Sequence, residues 1–587
     1  MNFLRNLLAS IIGTFIALGI IFMFFIIFIA IAGSGEDVVH VKNDSILELN
    51  LNEPMKDYGG KFRFTDFDFQ YEEYNGLNSI LQSIAYAKTD SKIKGININS
   101  TYLTAGTVQI KAIRDALKDF KESGKFVYAY GDFYAQKDYY LASVADSVFL
   151  NPVGEMDFRG MSSEILFYKD LQEKTGIKME VIRHGKYKSA VEPFLSNEMS
   201  PANREQISEL LHSIWSSVVN DISESRNISS ENINTIADTL GARTPKMAYA
   251  VKLIDGLKYL DEYEELLRKS LAIEDEKEIN YIDIYKYAEH ATRKAKSLEK
   301  DKIAVVYAQG EIGYGEGDDE VMGQGVIINA LRKAVENEDV KAIVLRVNSP
   351  GGSALASDII WREIEVTKQK KPVIISMGDF AASGGYYISA GGQKIFAEPS
   401  TITGSIGVFG VVPNISELAG KWGINAEQVN TNQNSTVYSV FEPATDEFLS
   451  FAQESVEDVY KTFLERVSQG RNIPVNEVDS IAQGRVWSGE QAKKLGLVDE
   501  IGGLDDAIAY AAELTEISSY GVKEYPVYEK SIEEMFKSFP GVKISKTKEE
   551  LIKEEIGEEA YELFKNMKSF SQLKGTQARM PFEINIK

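Results

Sequence analysis

The chain has no cysteine among its 587 residues, which excludes a disulfide framework, thiol catalysis and cysteine-based zinc or iron–sulfur sites. Histidine is nearly as scarce. His40, His184, His212 and His290 all lie in the first half, so chemistry based in the second half must draw on other side chains. Positive charge is short too: 64 Lys and Arg face 87 Asp and Glu, a net of −23. That balance argues against a nucleic-acid partner, which needs basic patches, and reads as solvated surface serving solubility. What is present, 44% hydrophobic and 26% charged residues, is ordinary for a globular chain. The length predicts roughly two to four domains.

One long apolar run stands apart. Residues 7–33 carry no charge, and the nearest charges on either side are Arg5 and Glu36. The run exceeds the ~20 residues needed to cross a ~30 Å hydrocarbon layer. A cleaved secretory signal would have an apolar region of only about 7–15 residues, and IAIAGSG is a weak cleavage site. A single-pass N-terminal anchor is expected, with Arg5 on the cytoplasmic side and the body of the protein beyond it.

The remainder contains a repeat. GDFYAQKDYY begins at Gly131 and GDFAASGGYY at Gly378, an offset of 378 − 131 = 247. The same offset pairs Ile93-Lys94-Gly95 with Val340-Lys341-Ala342, Pro152 with Pro399, and Gly160 with Gly407. Later it drifts: Arg226-Asn227-Ile228 answers Arg471-Asn472-Ile473 at 471 − 226 = 245. One domain has been duplicated in tandem. In the second copy, β-branched apolar runs at 303–308, 342–347 and 373–377 read as buried strands, alternating with helical patterns at 326–335 and 354–368. Such alternation predicts right-handed crossovers and a largely parallel sheet. A charged, helix-prone stretch at 289–302 links the copies. The tail at 546–568 has Glu and Lys at helical spacing, and 569–587 reads as poorly structured.

The copies diverge where chemistry could sit. The second has NSPGGS (Asn348 to Ser353) where the first has TYLTAG, and Ser383-Gly384-Gly385 where the first has Gln136-Lys137-Asp138. Pro350-Gly351-Gly352 predicts a tight turn with exposed amides before a helix, suited to holding an oxyanion. Ser383 is placed at a strand–helix turn with glycines that allow close approach of a ligand; a serine there also reads as a simple N-cap. A nucleophilic serine needs a base. His184 is one candidate. The other is Lys188 in HGKYKSAVEPF, provided burial lowers its pKa by roughly 3 units from near 10.4.

GKYKSAVEPF, VNSPGGS, MGDFAASGGYYIS and TITGSIGVFG together resemble the signal peptide peptidase A (protease IV) family, S49, in its long, duplicated, membrane-anchored form. The resemblance runs from about residue 41 to 525. It implies an α/β fold of tandem duplicated crotonase/Clp-protease-like domains, each a ββα spiral, after one N-terminal transmembrane helix. It implies a serine endopeptidase with Ser383 as nucleophile, Lys188 as general base and the Gly351 and Gly352 backbone at the oxyanion, needing no cofactor or metal. Hydrophobic peptides such as signal-peptide remnants are the implied substrates. A homotetramer on the periplasmic side of the bacterial inner membrane is the implied setting. At offset 247 the counterpart of Lys188 is Ser435, so each copy supplies half of the dyad. The expected division is an anchor at 1–40, a first repeat at 41–290, a helical linker at 291–302, a second repeat at 303–545 and a charged tail at 546–587. An acyl-CoA enzyme of the same fold, a membrane-tethered peptide-binding scaffold and Ser-His catalysis through His184 are the competing readings.

Overall fold

Isoleucine- and valine-rich segments favour strands because branched side chains pack well on a pleated surface, and strands covered on both faces need no polar alternation. Ile303 to Ala308 are accordingly all buried within the strand Lys302–Gln309. The computed structural model describes residues 5–7, 10–20, 23, 39–64, 69–274, 277–295, 297–530 and 577–580. It separates into two units, 1–42 and 43–587. In the first unit residues 10–20 are helical, and much of the apolar run that predicted an anchor lies outside the described residues. Among the described residues no helix is long and apolar enough to cross a membrane.

The second unit carries the duplication as two sheets with one strand order. The first runs Gly256–Leu257, Ser147–Met156, Phe126–Tyr134, Ile93–Ile98, Ser45–Leu49, Asn280–Asp283, every neighbour parallel. Six strands of the second run Glu500–Ile501, Lys394–Ala397, Val373–Ala382, Val340–Ser349, Lys302–Gln309, Gly521–Tyr525, again parallel; Val373–Ala382 also pairs in parallel with Ile402–Gly404, which runs antiparallel to Val486–Ser488. Three central strands start at the expected offset: 340 − 93, 373 − 126 and 394 − 147 are each 247. The helices Gln324–Glu336 and Ala354–Lys368 fall where the periodicity put them.

The copies are not separate beads. A mixed sheet crosses between them in the order Val321–Gly323, Glu311–Gly313, Gly351–Ser353, Gln577–Arg579, Val408–Asn414, Lys178–His184. Lys61–Phe64 pairs in parallel with Val527–Lys530, and Tyr58 and Phe62 join the core beside Ile303 and Val344. At the same seam Arg346 Nε donates to Asp57 Oδ2 at 2.7 Å, both side chains almost wholly buried. Gln109 Nε2 and Asn348 Nδ2 satisfy Asp57 Oδ1 at 2.8 and 3.0 Å, and Arg346 also donates to Ser376 Oγ and the Met377 carbonyl. Added hydrogen bonds to both partners are what make a buried ion pair tolerable.

Two expectations are corrected. The stretch at 289–302 is not one helix: Ile284–Lys294 forms it, burying Ile284, Tyr287, Ala288 and Ala291, and residues 297–299 carry no helix. Packing of the apolar stripe, rather than charged composition, sets where that helix stops. The segment expected to be poorly structured contains the strand Gln577–Arg579, with Ala578 fully buried. Its backbone finds partners on both sides, which a reading of side-chain composition does not detect. Residues 546–568, where helical spacing was noted, lie outside the described residues.

Replacing Asp57 with Ala leaves Arg346 buried and unpaired. The expected loss is on the order of 3–5 kcal/mol, read as a marked drop in thermal unfolding temperature. Lys56→Ala, which removes a half-exposed pair with Asp319, should change it by less than about 1 kcal/mol.

Candidate active site

Strand Lys178–His184 of the first copy lies antiparallel to Val408–Asn414 of the second, in register from Val408↔His184 to Asn414↔Lys178. The chain then turns at Gly185, and the Tyr187 amide donates to the Gln483 carbonyl of the second copy. A short 3-10 turn, Ser189–Val191, follows directly. Below it Glu192 accepts from Asn203 Nδ2 at 2.7 Å, and Gln206 Nε2 donates to Ser189 Oγ and the Tyr187 carbonyl. These bonds fix the backbone around Lys188. Gly484, at φ +78°, faces its stem; a Cβ there would stand 2.7 Å from Lys188 Cβ.

Lys188 is completely buried, and its Nζ reaches Ser383 Oγ at 2.9 Å, Ser405 Oγ at 2.9 Å and the Ser405 carbonyl at 3.1 Å. Burial alone drives its pKa well below the ordinary 10.5. With no carboxylate among its partners to hold the ammonium, the neutral amine is favoured.

Ser383 follows the strand Val373–Ala382 and precedes the helix Gly384–Ser389. Its backbone sits at φ 56°, ψ −115°, a conformation that costs on the order of 1–3 kcal/mol for a non-glycine residue and is held by surrounding contacts. Its amide donates to the Gly404 carbonyl, and its own carbonyl accepts from the Tyr387 amide. The residue occupies the N-cap position, yet its side chain makes no capping bond. The hydroxyl is turned to Lys188 instead, which removes the N-cap reading of this serine.

Gly351 and Gly352 do not form an open turn. They lie at φ +100° and +152° in the short strand Gly351–Ser353, buried against Gln577–Arg579. The Gly351 amide donates to Ser349 Oγ at 3.2 Å.

The first copy is closed at the matching place. Asp138, which aligns with Gly385 (385 − 247 = 138), accepts from the amides of Tyr102, Leu103 and Ala135 at 3.0, 2.9 and 3.1 Å. The loop amides there are held by a carboxylate, and no position remains for a reacting oxygen. Ser435, the counterpart of Lys188, lies in an exposed turn with its Oγ accepting from Asn432. His184 turns to Glu457 at 2.8 Å and stacks on Tyr460 at 3.9 Å; none of its described bonds goes to Ser383.

The Peptidase family S49 profile matches residues 119–274 and again 365–518. The chain belongs to peptidase family S49. Among its relatives is Protease 4 of Salmonella typhi, 38% identical over 77% of this chain and 74% of that protein. Protease 4 of Haemophilus influenzae is 36% identical over 87% and 85%. The chloroplastic serine protease SPPA of Arabidopsis thaliana is 31% identical over 81% and 70%. Residues 295–403 also match the Clp protease family, in keeping with a Clp-protease-like α/β fold. As a member of S49 the protein is a serine endopeptidase, with its peptidase domain present twice.

Sequence reasoning did not single out Ser405 or Gly484. Ser405 stands in the quoted TITGSIGVFG stretch, but only the fold brings it to Lys188. Gly484 comes from a loop with no motif.

The unfolded chain protonates Lys188 at neutral pH while its buried form resists the proton. Stability from this group therefore rises with pH, from the lowered folded pKa up to about 10.5. Lys188→Met should raise the thermal unfolding temperature at pH 7, with the gap to the parent closing towards pH 10. A parent more stable than Lys188→Met at pH 7 would contradict a buried neutral amine.

Proposed function

We propose that Ser383 and Lys188 are the catalytic dyad of this serine endopeptidase, and that it hydrolyses hydrophobic peptides such as cleaved signal peptides. The observation that carries this is the 2.9 Å approach of a fully buried lysine amine to a serine hydroxyl held in a strained turn. As a neutral amine, Lys188 directs its two N–H groups to the Ser405 carbonyl and Oγ, which leaves its lone pair aimed at the Ser383 hydroxyl. Nζ takes the hydroxyl proton as Oγ attacks the peptide carbonyl carbon. The oxyanion is held by backbone amides, Gly352 from the NSPGGS loop and Gly384 next to the nucleophile. Nζ passes its proton to the departing amine as the C–N bond breaks. It then takes a proton from water, whose oxygen attacks the acyl carbon; the C–Oγ bond breaks and Nζ returns the proton to Ser383 Oγ, releasing the acid.

In this reading residues 41–290 and 303–545 are two repeats that contribute one base and one nucleophile to a single centre. Residues 1–40 form a single-pass anchor in the bacterial inner membrane, with the body on the periplasmic side. The apolar run at 7–33 supports that placement, and a membrane is a source of hydrophobic peptides. The oligomer is a homotetramer, following the family.

Hydrolysis of a short hydrophobic fluorogenic peptide tests the assignment. Ser383→Ala and Lys188→Met should each lose on the order of 10⁴-fold or more in kcat. The parent's rate should rise with pH through one ionisation well below 10.5, because the deprotonated amine is the active form. Turnover persisting in Lys188→Met with the parent's pH profile would remove lysine from the mechanism.

A further inference from the structure

The loop at 482–485 reaches both sides of the dyad. The Gln483 carbonyl accepts from the Tyr187 amide at 2.8 Å, and the Arg485 carbonyl accepts from the Ser405 amide at 2.7 Å. The Gly484 amide donates to the Ile406 carbonyl at 2.8 Å. Directly beyond the loop, Val486–Ser488 runs antiparallel to Ile402–Gly404, whose last carbonyl holds the Ser383 amide. One short segment thus borders the turn that carries Lys188, the residue that accepts from its amine, and the backbone that holds Ser383.

The side chain of Arg485 crosses from this loop to the first copy. Its guanidinium lies between two rings, 4.8 Å from the centre of Tyr187 and 4.4 Å from that of Trp487. Nη1 donates to Tyr187 Oη at 3.2 Å and to Glu205 Oε1 at 2.9 Å, and Nη2 donates to Glu209. Both glutamates stand on the helix Pro201–Arg226 of the first copy. Nε has no partner among the described residues, so the rings and the carboxylates set where the guanidinium lies. Only 13% of the arginine side chain is exposed, against 47% and 50% for the two glutamates. Ion pairs so exposed on one side add little stability. A planar fork held between two rings instead fixes direction, because its donors cannot turn independently. What it fixes is Tyr187, the residue before Lys188. At the repeat offset of 244 the counterpart of Arg485 is Gly241 (485 − 244 = 241), so the copy without a nucleophile has no such side chain.

We propose that Arg485 is a positioning residue for the dyad, pinning the Tyr187–Lys188 turn to the second copy so that the amine stays on Ser383. This rests on the catalytic reading of those two residues. Charged groups surround the turn: Arg183 and Lys186 on its own segment, Glu205 and Glu209 on the helix, and Glu457 beside His184. None of the described bonds to the amine comes from them. The charge state of Lys188 is therefore governed by exclusion of water, which a loosened turn would relax.

Arg485→Gln tests this with two readouts on the full-length protein. Hydrogen exchange of the amides at 185–190, followed by mass spectrometry, should quicken at least about tenfold, because local opening sets that rate. Hydrolysis of the fluorogenic peptide should lose on the order of 10²-fold in kcat, with KM changed by less than about threefold. The ionisation in its pH profile should move up towards the ordinary 10.5. Arg485→Lys, which can reach a glutamate but cannot lie flat between the rings, should fall between parent and Arg485→Gln in both readouts. If Arg485→Gln does not fold, Glu205→Gln combined with Glu209→Gln should move both readouts in the same directions. Exchange at 185–190 like the parent's would overturn the pinning of the turn. Faster exchange with the parent's kcat and pH profile would overturn the positioning of the base. The dyad reading fails separately, if Lys188→Met turns over the peptide like the parent whatever the exchange shows.

Discussion

The meeting of Lys188 with Ser383 depends on one strand pairing. Seven residues of the first copy, Lys178–His184, are zipped to seven of the second, Val408–Asn414. Lys188 lies only four residues past the end of that ladder, and Ser405 three residues before its start. A one-residue slip would exchange the faces of the strand and withdraw the amine from Ser383. The ladder therefore sets the geometry of that contact more directly than either of the two large sheets does, although those sheets contain most of the core.

Much of this was legible beforehand. The offset of 247 announced two copies of one fold, and the sheets repeat one strand order. The alternation of β-branched runs with helical periodicity located the second copy's strands, because those runs are buried on both faces and carry an undiluted apolar signal. Lys188 and Ser383 were legible through their motifs and through the scarcity of histidine. Ser405 and Gly484 were not. Their parts are assigned by contacts across about 200 and 300 positions of chain respectively (405 − 188 = 217 and 484 − 188 = 296). No local pattern encodes such a distance. The strand Gln577–Arg579 was missed for a related reason: its stability comes from backbone partners on two other segments, and Gln-Ala-Arg has no strand signature of its own.

The divergence of the copies has a physical logic. One loop keeps glycines where backbone must approach a ligand; its twin carries Asp138 and satisfies its own amides with a carboxylate. The first copy thereby closes its own loop and serves as the scaffold that carries Lys188 to Ser383. Asp379 illustrates the cooperation from the other side: its Oδ1 accepts from the Val108 amide at the start of a first-copy helix at 2.8 Å.

The burial of Lys188 has a consequence for what happens when the molecule loosens. Burial drives the amine towards its uncharged form only while both copies keep water away from it. If the seam parts, by heat or by partial proteolysis, the amine is hydrated and takes up a proton. On the catalytic reading proposed above, loss of structure and loss of proteolytic power are then one event, and a damaged molecule disarms itself before it can cut its neighbours.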